Sequence, residues 1–283
     1  MSAIKQLSLI LSDEVERRYG IASSETTRSK IEELLLSEKE SWKIERYFEL
    51  VKEASTKEEW KKILEKITIH ESYFQRNLNI LNSAAVVIDN ILKKKQSIRI
   101  WSVPCSTGEE AYDLAFLAIE SLYKSKYGTN VFSDQMLNAL NLDDMYVYAT
   151  DVSENCLLKA KQGYYDTLAM GSMRKIDPIK KKYFFIEKDK GVEVKAFIKK
   201  RVKFVAANVF SPPLQTDFDL IMCRNMLIYF SDEKRKECQE NLAQSLVGGG
   251  YLFLGSVDSF LLNPNQFIQH SDGSSIWYEK KEE

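Results

Sequence analysis

Five short segments of this chain, 98–103, 146–150, 202–206, 218–223 and 251–255, are apolar at nearly every position. A strand with one wet face alternates apolar and polar side chains, whereas a strand buried on both faces does not. These runs are therefore predicted to lie in a sheet covered on both sides. Helical patterns at 109–123, 153–161 and 232–246 separate them, and strand–helix–strand units of this kind build parallel sheets through right-handed crossovers. Gly248-Gly-Gly250 is expected to stop the last helix ahead of the final run. Segments 267–270 and 275–280, turning about Asp272-Gly273, fit a closing antiparallel pair. The expected fold class is α/β, a doubly wound domain spanning 97–283.

Two regions fall outside that pattern. Residues 1–66 carry apolar side chains at helical spacing over 2–19, 27–39, 42–54 and 56–66 with no strand signal, so an all-helical N-terminal lobe is expected. Thr56-Lys-Glu-Glu59 has the form of a capping box. Residues 67–96 read as a linker loop and a helix. Inside the α/β domain, 183–187 and 192–198 flank Lys188-Asp-Lys-Gly191 and are expected to form a small β-hairpin subdomain inserted over 172–201. Between 172 and 203, twelve Lys or Arg stand against four Asp or Glu, a local excess of eight positive charges. Such a stretch is either a solvated surface or a dock for an acidic protein.

Composition removes several function classes. The net charge is −1 over 283 residues, and no basic, aromatic platform appears, which argues against nucleic acid. No apolar run approaches the roughly 18–20 residues of a membrane helix, so no membrane insertion is expected. The N-terminus lacks the basic start and long apolar stretch of a signal peptide, which makes a cytoplasmic location the expectation. Cys105, Cys156, Cys223 and Cys238 are scattered, with only His70 and His270 beside them. They form no zinc pattern and suit a reducing compartment.

In open parallel sheets, ligands bind beyond the carboxyl ends of the strands at the switch point. The most unusual residues of the chain fall there. After the first strand, Ser106-Thr-Gly108 can turn tightly into a helix that opens with Glu109 and Glu110. Two carboxylates at a helix start repel phosphate and suit a cationic, hydroxyl-bearing ligand, although they also simply complement the helix dipole. After the second strand, Asp151 is placed either to accept both hydroxyls of a ribose or to cap the helix beginning near Ser153. Asn208 follows the third run, where an amide can pair with an adenine edge. Arg224, Asn225 and Tyr229 stand just beyond 218–223.

Together these segments resemble the CheR-type family of chemotaxis-receptor protein-glutamate O-methyltransferases. The resemblance runs in order from about residue 67 to 278. Its pieces are Thr68-Ile-His-Glu-Ser-Tyr-Phe-Gln-Arg76, Ile100-Trp-Ser-Val-Pro-Cys-Ser-Thr-Gly-Glu-Glu-Ala-Tyr112, Ala149-Thr-Asp151, Val202-Lys-Phe-Val-Ala-Ala-Asn208, Cys223-Arg-Asn-Met-Leu-Ile-Tyr-Phe230 and Gly248-Gly-Gly-Tyr-Leu-Phe-Leu-Gly255. The resemblance implies a Rossmann-like S-adenosylmethionine-dependent methyltransferase sheet. It implies S-adenosyl-L-methionine as cofactor, with S-adenosyl-L-homocysteine as its product. The implied acceptor is a glutamate side chain of a protein, the cytoplasmic helical part of a chemoreceptor.

Carried over position by position, the resemblance places His70, Ser72 and Arg76 in a linker loop over the methyl donor. Glu110 and Asp151 become acidic donor contacts, and Asn208 and Val209 the adenine-side pair. Asn225 and Met226 lie beside the donor's amino-acid end, with Tyr229 near the methyl group. Arg76 and Tyr229 are the implied catalytic residues. The family commonly shows Thr where Ser72 stands, Phe-Phe-Arg where this chain has Phe74-Gln75-Arg76, and a small or amide residue in place of His70. Two other readings share the same residues: a catalytically silent donor-binding signalling module, and a methyltransferase for another acceptor.

Overall fold

In the computed structural model, which describes residues 3–37, 47, 49, 58–168, 170–211 and 215–282, the fully apolar runs become adjacent strands. The strands are β1 (Ile98–Ser102), β2 (Met145–Asp151), β3 (Tyr164–Asp166), β4 (Phe185–Lys188), β5 (Gly191–Val194), β6 (Val202–Ala206), β7 (Phe218–Cys223), β8 (Leu246–Leu254), β9 (Phe267–Ser271) and β10 (Ile276–Lys280). Seven of them form one sheet in the order β6-β2-β1-β7-β8-β10-β9. The β6/β2, β2/β1, β1/β7 and β7/β8 pairs are parallel. The β8/β10 and β10/β9 pairs are antiparallel. Every residue of β7 is buried, as a strand covered on both faces requires.

The described helices are α1 (Ala3–Tyr19), α2 (Glu25–Ser37), α3 (Glu58–Ile67), α4 (Leu78–Lys95), α5 (Glu109–Tyr127), α6 (Asp134–Asn138), α7 (Glu154–Gln162), α8 (Pro178–Phe184), α9 (Ala196–Lys199) and α10 (Asp232–Ser245). Ala84, Ile88 and Ile91 of α4 join Ala111, Ala115 and Ile119 of α5 against Ile100, Val147 and Leu220 on one sheet face. Cys238 and Leu242 of α10 pack against Trp101, Ile221 and Leu252 on the other. No described helix is long and apolar enough to cross a membrane.

The N-terminal helices build their own core from Leu7, Leu11 and Val15 of α1, Ile31 and Leu35 of α2, and Trp60, Ile63 and Leu64 of α3. This lobe is sewn onto the sheet. Ile21 bridges Phe230 in antiparallel fashion, and the Ala22 amide donates to the Tyr229 carbonyl at 2.8 Å. Gly20, at φ +73°, makes the turn between lobe and bridge, and a Cβ there would lie 2.4 Å from Phe210 Cε2. Of the segment 42–54 only residues 47 and 49 are described, and Thr56 of the capping box lies outside the described residues.

The structure corrects two local expectations. The glycine run does not stop the helix. α10 ends at Ser245, and Gly248–Gly250 lies inside β8, where the register against β7 shifts between Phe218 and Leu220. Pairing with β7 from Leu246 onward satisfies the backbone, and glycine serves the bulge at Gly249, φ +73°. The inserted piece is also more than a hairpin. It is a three-stranded sheet, β3-β5-β4, that recruits β3 from ahead of residue 172. Asp177 accepts the Ile179 amide at 2.7 Å and, with Pro178 behind it, starts helix α8 where a strand was expected from 183. β5 stops at Val194, and 196–199 turn into α9 instead of extending the strand to 198.

Candidate active site

β1 pairs with β2 on one side and β7 on the other, so the connections leaving these strands diverge and open a crevice above their carboxyl ends. The loop after β1 is drawn into it. The Cys105 amide donates to the Thr150 carbonyl at 2.8 Å, which ties the loop to the end of β2. Ser106 (φ 46°) and Gly108 (φ 96°) then reverse the chain into α5. A Cβ on Gly108 would lie 2.8 Å from the Ala160 Cβ of α7, so glycine lets the two helices meet behind the crevice.

The crevice has two halves that share Ile69, Pro104, Ser106, Asn225 and Tyr229. The first half is mainly apolar and is lined by His70, Asp151, Asn208, Val209 and Met226 together with Tyr19, Ile21 and Phe230. Asp151 is nearly sealed from water. Its Oδ2 accepts the Ser106 amide at 2.8 Å and its Oδ1 accepts the Ser153 amide at 2.9 Å. Burial pushes its carboxyl above the usual range, opposed by those two amides. Asp151 thus holds the amide of Ser153, the N-cap of α7, and lines the crevice. Asn208 donates an amide hydrogen to the Arg18 carbonyl at 2.7 Å and accepts the Phe210 amide at 3.1 Å, so it also fastens the lobe.

The second half is polar, lined by Ser72, Tyr73, Arg76, Glu110 and Arg224. Glu110 accepts from Ser102 Oγ at 2.6 Å and from Arg224 Nε at 2.7 Å. Arg224 also donates to the Arg76 carbonyl at 2.7 Å, so it fixes the backbone of the linker loop. The Arg76 guanidinium donates to the Glu71 carbonyl at 2.7 Å and lies 5.7 Å from the Tyr73 ring centre. Arg174, from the β-subdomain side, stacks on the same ring at 3.6 Å from its centre. Glu109, next to Glu110, points elsewhere: it is fully buried and accepts from Thr107 Oγ1 and Ser172 Oγ.

All ten residues singled out in the sequence therefore line one continuous crevice: His70, Ser72, Arg76, Glu110, Asp151, Asn208, Val209, Asn225, Met226 and Tyr229. The linker loop is anchored by Phe74, which is fully buried and meets Tyr165 and Phe185 edge-on at 4.9 and 5.1 Å. The basic stretch, by contrast, is largely paired. Lys180, Lys195, Arg174 and Arg201 meet Glu120, Asp134, Glu71 and Asp143 from outside it, at 2.7–3.0 Å. The excess of eight positive charges is halved by these four partners.

Residues 70–275 match the protein family described as CheR methyltransferase, SAM binding domain. The chain belongs to the CheR methyltransferase family. Among CheR relatives, chemotaxis protein methyltransferase 1 of Pseudomonas aeruginosa is 38% identical over 182 residues, covering 63% of this chain and 61% of that one. Chemotaxis protein methyltransferase 2 of Vibrio cholerae is 30% identical over 75% of this chain and 70% of its own. The alignment with the Pseudomonas relative thus spans about three-fifths of its length. Among solved structures, a TehB-like SAM-dependent methyltransferase from Corynebacterium glutamicum covers 71% of this chain and 87% of its own, at 12% identity and a TM-score of 0.39.

The matched CheR domain does not include every wall of the crevice. Tyr19 and Ile21 come from the N-terminal lobe, ahead of the matched residues. Sequence reasoning missed them, since an aromatic at the end of an amphipathic helix reads as lobe core. Gly20 between them was the available signal, a glycine placed where a helix must end tightly.

Proposed function

We propose that this chain transfers the methyl group of S-adenosylmethionine to glutamate side-chain carboxylates of a protein, a cytoplasmic helical segment of a chemotaxis-type receptor. The products are glutamyl methyl esters and S-adenosylhomocysteine. The observation that carries this reading is the division of the crevice into an apolar half holding a buried carboxylate and a polar half holding Arg76, with Tyr229 lining both. The names of the chemotaxis methyltransferase relatives support the acceptor class.

The apolar half suits the nucleoside end of the donor. Asp151 would accept from ribose hydroxyls, since each carboxylate oxygen retains a lone pair after its amide contact. Asn208 keeps a second amide hydrogen for an adenine edge beside Val209. His70 and Ser72 close the linker loop over this site, and Asn225 and Met226 border the amino-acid end. The bound donor supplies an electrophilic methyl group on a sulfonium; the protein's part is to align the acceptor and keep water out.

The acceptor follows from the polar half. A glutamate has a reference pKa near ~4.3 and is already a nucleophile at neutral pH, whereas an amine or alcohol must lose a proton. The acidic groups in the polar half are poorly suited to take one. Glu110 is tied to Arg224, Glu71 pairs with Arg174 at 2.7 Å, and burial holds the Cys105 thiol well above its usual range. Arg76 would instead hold the incoming carboxylate by a charge-assisted hydrogen bond, with Tyr229 beside the reacting methyl.

The bond made distinguishes the acceptors. Protein labelled with a radioactive methyl donor in the presence of receptor-containing membranes is treated with mild alkali, and volatile label is collected. A glutamyl ester releases methanol; alkali-stable label would identify an amine or ether product and overturn the carboxylate assignment.

A further inference from the structure

Asp113 sits one turn after Glu110 on α5, fully beneath the linker loop. Its Oδ2 accepts the Gln75 amide at 2.6 Å, and its Oδ1 is buried with no hydrogen-bond partner among the described residues. Nothing in the family resemblance assigns it a role. Gln75 in turn accepts the Asp177 amide from the turn before α8 with its side-chain oxygen. The backbone at this point is unusual: Gln75 has φ 59° and Asn77 has φ 55°. Left-handed conformations of non-glycine residues cost free energy and persist only where surrounding contacts impose them. Here the contacts are the Asp113 carboxylate on one side of Arg76 and Arg224, which donates to the Arg76 carbonyl, on the other. Glu110 and Asp113 thus act on the same loop from one helix face, the first through Arg224 and the second directly.

We propose that Asp113 is a positioning residue for the methyl transfer: its carboxylate holds the Gln75 amide and thereby sets the Arg76 guanidinium at the mouth of the polar half. The inference rests on the carboxylate-methylation reading, because the role it gives Arg76 is to meet an anionic acceptor. A charged acceptor makes a stronger hydrogen bond to an amide than a neutral one, by roughly twofold. The ionisation of Asp113 therefore tightens or slackens the loop. Burial pushes its carboxyl up to about 7, opposed by the Gln75 amide, Lys180 and Arg224 and reinforced by Glu110. Tyr165 of β3 also faces it. Ionisation then falls in the range where most cells operate.

The test uses Asp113→Asn in the full chain, with methyl transfer to receptor-containing membranes followed from pH 5.5 to 8.5 and donor affinity measured by calorimetry. In the unaltered protein, kcat/KM for the acceptor should rise between pH 6 and 8 by up to about tenfold, the change in ionised fraction of a single group titrating near 7. The variant should give a flat profile below the high-pH plateau, with kcat/KM for the acceptor falling several-fold more than donor affinity, the mark of an effect centred on Arg76. An inflection near pH 7 that survives in Asp113→Asn overturns the proposal. Hydrogen exchange of residues 72–77 provides a readout independent of activity. Exchange several-fold faster in the variant at pH 8 supports the latch, and equal exchange overturns it. A chain that transfers no methyl at any pH refutes the proposed function, and the exchange result then decides the latch alone. Should Asp113→Asn fail to fold, the smaller, uncharged Asp113→Ser carries the same expectations.

Discussion

Glu110 Oε2 accepts the Arg224 Nε hydrogen at 2.7 Å, with 12% of one side chain and 2% of the other exposed to water. One acid of the crevice is therefore neutralised by its own protein. Asp151, held by amides and not by a cation, is left as the buried carboxylate of the apolar half.

Removing one partner of a buried ion pair leaves an uncompensated charge, at a cost of about 3–5 kcal/mol. Arg224→Met should lower the unfolding free energy by that amount, read as a fall in the urea midpoint at unchanged slope. The double variant Glu110→Gln/Arg224→Met should recover a large part of it, because it removes the charge that Arg224→Met strands. Equal destabilisation by both variants would show that the Arg224 contact to the Arg76 carbonyl, and not the ion pair, carries the energy.

Asp151→Asn retains an oxygen acceptor for one amide but lacks the charge. If Asp151 meets the ribose, the variant should bind S-adenosylhomocysteine about tenfold to a hundredfold more weakly, the equivalent of a charged hydrogen bond worth about 1.5–3 kcal/mol. In the unaltered chain, ligand at a hundred times its Kd should stabilise the fold by about 2.7 kcal/mol. Titration calorimetry showing unchanged affinity would remove Asp151 from the donor site.

Gly20→Ala places a methyl group within 2.4 Å of Phe210 at a left-handed backbone position. Overpacking of this kind costs about 1–3 kcal/mol. Because Tyr19 and Ile21 line the apolar half, donor binding should weaken along with stability. Adding Phe210→Leu should relieve the clash and return part of both, whereas a double variant no better than Gly20→Ala would place the whole cost in the backbone.

The Asp113 carboxyl, raised to about 7 in the fold from an ordinary value of 3.8, links stability to pH. Between those values the unfolded chain binds fewer protons than the folded one, so this group makes the fold less stable as pH rises from 4 to 7. Below 4 the penalty vanishes. Asp113→Asn should therefore gain stability relative to the unaltered chain with rising pH, by up to a few kcal/mol above pH 7. Denaturant midpoints measured at pH 4 and pH 8 check the sign.

The sheet was legible because its strands are buried on both faces and so carry apolar residues throughout; β6 and β7 begin and end where the sequence pattern places them. What the pattern could not convey was pairing. Gly248–Gly250 looks like a stop only when the partner strand that accepts it is unknown, and β3 is too short to announce itself until β5 lies beside it. The candidate site was readable for a similar reason. Asp151 ends a strand and Asn208 and Asn225 each stand two residues beyond one, so a strand assignment places them. Asp113 and Gln75 are distant in the chain and meet only through packing, and Tyr19 approaches the crevice from the helical lobe across a contact that no local pattern encodes.

The bridge between Ile21 and Phe230 bears on what counts as the smallest binding-competent piece of this molecule. Residues 70–275 carry the family match, and a fragment trimmed to them would lose β10, the strand that joins β8 to β9 in the sheet. It would also strip one wall from the apolar half, expose the Phe210 and Phe230 rings to water, and leave the Asn208 amide and Tyr229 carbonyl without the partners they have here. The edge of the family match and the edge of the crevice do not coincide, and a fragment meant to keep every wall of the crevice begins with the helices of the lobe.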